Sequence, residues 1–332
     1  MRRVRRLIVL GLIASPSGTA WAQNATTPGA VTLPYPTTMG LSIEWAIAGD
    51  ANNNGIATVR YRESSSSDWR TGMNLIRVPA GSNATGDFGS GGGKWGNKLA
   101  GSLFDLAPGK TYEIDLTLTD PDGGSMTVST TGATRAIPAV PADAKTKPVT
   151  PSTFASTLAS AAPGDLLLLG PGTYAPFAMA RSGIPDRPIV IRGESADTVV
   201  FSPGRVTLND RSWIYLEDLT IQGEIRMNGA SNMVVRRCKI RTGAGGITFE
   251  IGNQIPRNNY IVDNDVVGAA NWTNDQLGAD GYDGGEGIQF TGSGHVVCFN
   301  HVKGFRDNIS LMEYDEAYEQ VSIDICNNDI EQ

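Results

Sequence analysis

The chain has 332 residues, and its 27 basic and 34 acidic side chains give a net charge of −7. A protein without a basic excess lacks the electrostatic footprint that nucleic acid requires, which excludes nucleic acid as a partner. The length leaves room for two domains, and no apolar run is long enough to cross a bilayer. We therefore expect a monomer without membrane insertion, in which an acidic partner would meet a local basic cluster or a bridging cation.

The first 22 residues have the pattern of a bacterial export signal. Four arginines between Arg2 and Arg6 precede the apolar run Leu7–Ile13, and Ala20-Trp21-Ala22 supplies small side chains at the cleavage position. This pattern predicts that residues 1–22 are removed and that the mature protein is secreted or periplasmic.

Residues 31–134 alternate apolar and polar side chains in short runs separated by Gly, Asn, Ser and Asp clusters, which is typical of an all-β domain. Trp45 lies on an early predicted strand, and Tyr112 follows a Pro-Gly turn as in a tyrosine corner. The segment resembles a fibronectin type III domain, and this resemblance implies a β-sandwich that serves as a spacer or docking module. Residues 135–151 contain four prolines and are predicted to form a semi-rigid linker.

Residues 152–332 contain an internal repeat, in which aliphatic side chains recur at fixed offsets from a bend position. The bend column consists of Leu219, Cys238, Asn264, Asn300 and Asn328. The flanking columns are Leu216, Val235, Ile261, Val297 and Ile325 before the bend, and Ile221, Ile240, Val266, Val302 and Ile330 after it. A second register aligns Ile225, Ile247, Ile288 and Ile309. Three strands per coil predict an all-β fold, a right-handed parallel β-helix preceded by the β-sandwich.

The repeat also predicts local features of each coil. The bend residues are expected to adopt a left-handed conformation, which Asn tolerates well, and to hydrogen-bond along the stack. A short helix with Phe154 on its apolar face is expected to cap the first coil. Because the repeat continues as far as Ile330, we expect either that the sequence is a fragment or that another segment covers the last coil of the β-helix.

The stretch from Pro171-Gly172-Thr173-Tyr174 to Arg187–Gly193 resembles the opening of pectate-lyase-like β-helix proteins, in particular the alginate lyase and chondroitinase B group. The resemblance implies an acidic polysaccharide as substrate and, most directly, cleavage by β-elimination. Lyases of this fold commonly use a cation to neutralise the uronate carboxylate, and a Lys or Arg to remove the C5 proton. The resemblance carries no catalytic residue of that group to a position in this chain.

Candidate site residues cluster around the strand of the second register. Glu286 and Asp307 precede this strand on adjacent coils and should be close neighbours, because parallel strands lie about 4.8 Å apart. Together with Asp283 they form a candidate calcium site. Lys303, Arg306 and Asp307 are the candidate catalytic residues. The outward residues Arg226, Gln289 and Ser310 are the candidate substrate-binding residues.

Two other functions stay open at this point. Glu286 and Asp307 could act as the acid and base of an inverting hydrolase of polygalacturonase type. Alternatively, the surface around this strand could bind a glycan without cleaving it, as in an adhesion protein. Three cysteines do not suggest a disulfide framework, and Cys298 and Cys326 are expected to stack as thiols. With two histidines and no CxxC motif, a zinc site is not predicted, so calcium is the one cofactor that the sequence suggests.

Overall fold

The computed structural model describes residues 23–82, 93–269, 285–312 and 320–331. The predicted export signal and the loop that contains Asp283 lie outside these residues. No helix in the described ranges is both long enough and apolar enough to span a membrane.

The N-terminal part is a β-sandwich. Its described strands are β1 (Thr26–Thr32), β2 (Leu41–Gly49), β3 (Ile56–Glu63), β4 (Arg70–Thr71), β5 (Ile76–Val78), β6 (Gly81–Ser82), β7 (Lys94–Trp95), β8 (Lys98–Leu103), β9 (Thr111–Thr119) and β10 (Met126–Ala133). They form antiparallel sheets in the orders β1-β2-β8-β5 and β10-β9-β3-β4, with β6 and β7 paired separately. Because side chains alternate along each strand, one face of each sheet is apolar and buried between the sheets, with Trp45 at its centre.

The predicted tyrosine corner is present in this sandwich. Tyr112 is buried, and its hydroxyl oxygen accepts a hydrogen bond from the backbone N–H of Ala107 at 2.8 Å. The contact fixes the turn that leads into β9, which explains why a Tyr follows the Pro-Gly pair. The β-sandwich is confirmed, whereas its membership of the fibronectin type III family stays a prediction.

The C-terminal part is a right-handed parallel β-helix, as the sequence predicts. Its elements are β11 (Lys145–Val149), α1 (Phe154–Ala159), β12 (Asp165–Leu169), β13 (Gly172–Tyr174), β14 (Ile189–Gly193), β15 (Val199–Phe201), β16 (Val206–Thr207), β17 (Ile214–Glu217), β18 (Thr220–Ile221), β19 (Ile225–Arg226), β20 (Val234–Arg236), β21 (Lys239–Arg241), β22 (Ile247–Phe249), β23 (Tyr260–Val262), β24 (Asp265–Val267), β25 (Glu286–Phe290), β26 (Val296–Cys298), β27 (His301–Lys303), β28 (Asp307–Leu311), β29 (Asp324–Cys326) and β30 (Asp329–Glu331).

Three parallel sheets make up the walls of the β-helix in the described residues. The first sheet has the order β11-β12-β14-β17-β20-β23-β26-β29, the second β13-β15-β18-β21-β24-β27-β30, and the third β16-β19-β22-β25-β28. The isoleucine column pairs in register from coil to coil, and the aliphatic columns pack into one continuous core, except that Ile325 and Ile330 of the last coil are exposed. Ile225, Ile247 and Ile288 are fully buried, as predicted, and Ile309 is partly buried against the same core.

Helix α1 closes the first coil as expected. The ring of Phe154 contacts the rings of Tyr174, Phe177 and Phe201 at centroid distances of 5.5, 5.3 and 5.5 Å. This aromatic cluster removes the first apolar layer of the solenoid from water, which is the role of a terminal cap.

The bend column differs from the prediction in one respect. Its asparagines do form a ladder, because Asn264 Nδ2 donates to Asn300 Oδ1 at 2.9 Å and Asn300 Nδ2 donates to Asn328 Oδ1 at 3.0 Å. The left-handed residue, however, is the one before the column. The residues with positive φ are Asp218, Arg237, Asp263, Phe299 and Asn327. Asn is therefore favoured here for the donor and acceptor of its amide and not for its backbone freedom.

The expectation of free, stacked thiols in the last coils is wrong. Cys298 and Cys326 occupy paired positions of β26 and β29, and a disulfide joins them. Adjacent strands of a parallel sheet bring outward side chains of one column close enough for this bond. Cys238 is free and buried, and burial raises the pKa of its thiol to about 12. The Cys238 thiol is therefore not reactive at neutral pH.

The segment predicted as a linker is not a free tether. Its residues 145–149 form β11, which pairs in parallel with β12 as the first strand of the first sheet. Arg135 donates to the backbone carbonyl of Pro36 in the sandwich at 2.7 Å, and to the carbonyls of Asn258 and Gly294 in the β-helix. Composition alone cannot show this docking, because Pro and Ala also suit a chain that lies flat on an apolar surface.

Candidate functional site

The outer face of the third sheet carries a column of polar side chains, here called the polar stripe. Its members pair in register from coil to coil: Thr207, Arg226, Thr248, Gln289 and Ser310. They face outward because they alternate with the buried isoleucine column. The three predicted substrate-binding residues therefore lie on one wall of the β-helix, where Arg226 and Ser310 are partly exposed and Gln289 is buried.

Glu286 and Asp307 are direct neighbours beside this stripe, because β25 and β28 pair them in register. Arg306 lies between the two carboxylates: its Nη2 contacts Glu286 Oε1, and its Nε lies 3.3 Å from Asp307 Oδ2. The charge of Glu286 raises the pKa of Arg306, and Asp307 adds to this shift. The counterion that the sequence led us to expect between these acids is thus a guanidinium of the chain itself.

Arg226 forms a second ion pair of this kind at the other end of the stripe. Its Nη2 lies 2.7 Å from Glu224 Oε1, while the Nε of Arg205 lies 2.6 Å from Glu224 Oε2. Glu224 is buried, whereas Arg205 and Arg226 are partly exposed to solvent. The outer face of the third sheet therefore carries guanidinium groups that are partly exposed and that contact carboxylates of the chain.

Glu250 is the acidic residue of this face that the sequence analysis missed. It follows β22, and Gln289 donates from Nε2 to its Oε1 at 2.6 Å. Burial raises the pKa of Glu250, and the charges of Glu286 and Glu224 raise it further, although Arg226 acts in the opposite direction. A carboxyl group with a raised pKa next to a polar groove is a candidate proton donor. Extending the stripe by two residues after Thr248 would have identified it.

Other predicted site residues are not brought to this face. Lys303 lies on β27 of the second sheet, where its ammonium is 3.4 Å from Glu331 Oε2. Asp283 lies outside the described residues, so the calcium site predicted with Glu286 and Asp307 stays a prediction. His295 is fully buried, between the backbone N–H of Asn259 and the carbonyl of Thr291, as expected for a structural histidine.

Comparison with known proteins gives similarity of fold. No protein-family model matches the chain, and no curated protein matches it. A family 28 exopolygalacturonase of Yersinia enterocolitica superposes with a TM-score of 0.37 at 12% identity, covering 92% of this chain and 70% of that chain. A PL6 family alginate lyase gives a TM-score of 0.35 at 17% identity, covering 50% of this chain and 30% of that chain.

The sandwich has a distant counterpart in the third fibronectin III domain of a human protein, with a TM-score of 0.23 at 14% identity, covering 39% of this chain and 97% of that one. At such identities and scores the likenesses do not assign an activity.

Proposed function

We propose that this protein is a secreted enzyme that binds an acidic polysaccharide along the polar stripe and cleaves it by β-elimination. The observation that carries the proposal is the pair of guanidinium groups, Arg226 and Arg306, each already in contact with carboxylates on one outward face. A uronate carboxylate has the same charge and shape as the side chains that these arginines now hold, so it can take their place.

The chemistry follows from where the positive charge lies. A guanidinium bound to the uronate carboxylate withdraws its negative charge, which makes the C5 proton more acidic and easier to remove. Arg226 supplies this neutralisation in the proposal, and Arg306 takes part in the proton transfer. In the calcium form of the proposal, an ion held by Glu286, Asp307 and Asp283 would supply the same charge.

The proton transfers need a base and an acid. Of the predicted bases, Arg306 lies at the stripe, whereas Lys303 contacts Glu331 on another sheet. Glu286 raises the pKa of Arg306 and so opposes the loss of its proton, and Arg306 can act as the base only in a complex that breaks this contact. Glu250 is the proposed acid that protonates the leaving oxygen, since its raised pKa favours the protonated form.

Hydrolysis is the second candidate, and the environment of Glu250 favours it. Burial raises the pKa of Glu250, and the charge of the nearby Glu286 adds to this shift. A glycoside hydrolase needs two carboxyl groups, one as the acid and one to activate water. In this alternative the arginines bind the substrate and take no part in proton transfer. The sandwich acts as a spacer or docking module in either case.

The test is product analysis on a panel of uronate polymers, with neutral glucans as controls. β-Elimination gives an unsaturated uronate that absorbs ultraviolet light, whereas hydrolysis gives new reducing ends without that absorbance. We expect the ultraviolet product on at least one acidic polymer and none on the neutral polymers. Reducing ends alone would transfer the assignment to the hydrolase, and binding without either product would leave a glycan-binding protein. A chelator added to the active reaction tests the calcium component.

A further inference from the structure

A second group of chemically complementary side chains lies on a different wall, the outer face of the second sheet. There β27 and β30 are neighbours, and the pairing places His301 opposite Asp329 and Lys303 opposite Glu331. All four point outward, because the intervening Val302 belongs to the buried core. The strands thus present one imidazole and two carboxylates on a rigid surface.

The spacing of these groups matches a small cation. One ligand atom each from His301, Asp329 and Glu331 lies within 4.8 Å of the other two. The distance from His301 Nε2 to Glu331 Oε2 is 3.7 Å. Around a tetrahedral ion with bonds of about 2.0–2.2 Å, ligand atoms are separated by about 3.4 Å. Small side-chain rotations are therefore sufficient to close the three groups on a single ion.

The imidazole is also oriented for coordination. Its Nδ1 lies 2.8 Å from Asp265 Oδ1 on the preceding coil, and Arg241 in turn contacts the other oxygen of Asp265. A carboxylate that accepts the Nδ1 proton leaves the Nε2 lone pair directed away from it, here toward Glu331. Such a carboxylate–histidine arrangement fixes the tautomer and raises the basicity of a metal-binding nitrogen. Asp265 is not itself one of the three ligands.

Charge favours the same conclusion. Asp265, Asp329 and Glu331 bring three negative charges to one small area, where Arg241 is committed to Asp265. Lys239 lies opposite Asp265 but contacts Asp197, and Lys303 lies 3.4 Å from Glu331 in an exposed contact. An exposed pair at this distance contributes at most about 1 kcal/mol, so a divalent ion can displace the lysine from Glu331.

We infer that His301, Asp329 and Glu331 form a binding site for a divalent transition-metal ion of the zinc type, with Asp265 positioning the histidine. One nitrogen and two oxygen donors suit Zn²⁺, whereas Ca²⁺ and Mg²⁺ prefer sites made of oxygen alone. The bound ion clamps β27 to β30. Counting histidines in the sequence does not reveal this site, because its ligands come from two coils and meet only through strand pairing.

The site is independent of the proposed enzymatic function, since it lies on the second sheet and the polar stripe lies on the third. Its test is a titration of the chelator-treated full chain with Zn²⁺, followed by calorimetry and by thermal unfolding. We expect saturable one-to-one binding and a rise in the melting temperature with Zn²⁺, and weaker binding of Ca²⁺. His301→Gln and Glu331→Gln should each weaken Zn²⁺ binding at least about tenfold, and Asp265→Asn by about tenfold through loss of the orienting contact.

Two matched lysine variants sharpen the experiment. Lys303→Met removes the cation that competes for Glu331 and should strengthen Zn²⁺ binding. Lys110→Met makes the same change in the sandwich, where Lys110 lies 3.4 Å from Glu63 in an exposed pair of the same kind, so binding should stay at the wild-type level. Circular dichroism verifies that each variant is folded. Absence of saturable Zn²⁺ binding, wild-type affinity in His301→Gln or Glu331→Gln, or Ca²⁺ binding as tight as that of Zn²⁺ would each overturn the inference.

Discussion

The first and third sheets of this β-helix have the same parallel geometry, but their outer surfaces differ in polarity. The outward side chains of the first sheet are largely apolar, and Met39, Val140 and Ala144 pack against them. The outward side chains of the third sheet form the polar stripe with its ion pairs. In a solenoid the inward columns maintain the fold, so the outward columns decide what each wall contacts. The first sheet contacts the protein's own sandwich and linker, and the third sheet is the proposed glycan-binding wall.

The first sheet is called the docked wall here, because the sandwich and residues 135–151 pack against it. Its interface also contains buried charged groups. Arg135 reaches through the interface to backbone carbonyls of both domains, and burial lowers its pKa to about 10. It stays protonated at neutral pH, held by carbonyl oxygens and by the field of Asp324. Burial raises the pKa of Asp324, which lies in the same interface. These groups join the two domains, whereas Arg226 and Arg306 on the third sheet are partly exposed to solvent.

Lowering the pH should produce the largest change in the free energy of unfolding, through a buried residue near the docked wall. His295 is buried near this interface, its carbonyl accepts the N–H of Asp324, and burial lowers the pKa of its ring to about 3. Below pH about 6.5 this histidine binds a proton in the unfolded chain but not in the folded chain. Its contribution to the free energy of unfolding is therefore fully present above that pH and is lost progressively as the pH falls toward 3. The loss attributable to His295 reaches about 4–5 kcal/mol.

The measurement is urea unfolding at a series of pH values for wild type and His295→Gln. The difference between the two proteins should shrink as the pH is lowered, because only the wild type has this histidine to protonate. Parallel pH curves would show that His295 is not neutral in the folded protein.

Loss of the disulfide should have the second largest effect on the free energy of unfolding. Cys298 and Cys326 close a segment of 28 residues at the docked wall. Replacing both by Ser should lower the free energy of unfolding by about 3 kcal/mol, because the unfolded chain regains its loop entropy. Denaturant unfolding with and without a reductant checks this value. Equal stability of wild type and double variant under oxidising conditions would show that the bond does not form.

A pair of arginine variants compares the two walls directly. Arg135→Met should cost about 2–3 kcal/mol in unfolding free energy, since buried carbonyls lose a charged donor. Arg226→Met should cost less than about 1 kcal/mol, because Arg226 is partly exposed. Chemical denaturation of both variants checks the ranking. Equal costs would contradict the distinction between a structural and a ligand-binding wall.

Sequence periodicity was sufficient for the β-helix because a solenoid repeats its inward columns at fixed offsets, and the isoleucine column shows this directly. It was insufficient for the docking of residues 135–151, since strand β11 depends on a partner, β12, that lies later in the chain. The disulfide was missed for a related reason. Cys298 and Cys326 were correctly placed in one column, but an odd cysteine count argued against a bond.

The candidate site shows the same limit. Strand register was enough to pair Glu286 with Asp307 and to align the polar stripe. It could not show that Arg306 would insert between those acids, nor that Lys303 would turn toward Glu331, because side-chain direction near a corner depends on the local bend. Glu250 was missed because the predicted stripe stopped at Thr248 and was not continued to the next outward position, which lies just beyond the end of β22.

The most direct test of the account is binding of uronate oligosaccharides to wild type and Arg226→Met, followed by calorimetry. Lys239→Met serves as the control with the same loss of charge on another sheet, and oligosaccharides with reduced carboxyl groups serve as neutral ligands. We predict binding of the acidic oligosaccharides to wild type and Lys239→Met, at least about tenfold weaker binding to Arg226→Met, and little binding of the neutral ligands. Equal affinity of all three proteins, or equal affinity for acidic and neutral ligands, would contradict the assignment of the polar stripe as the binding face.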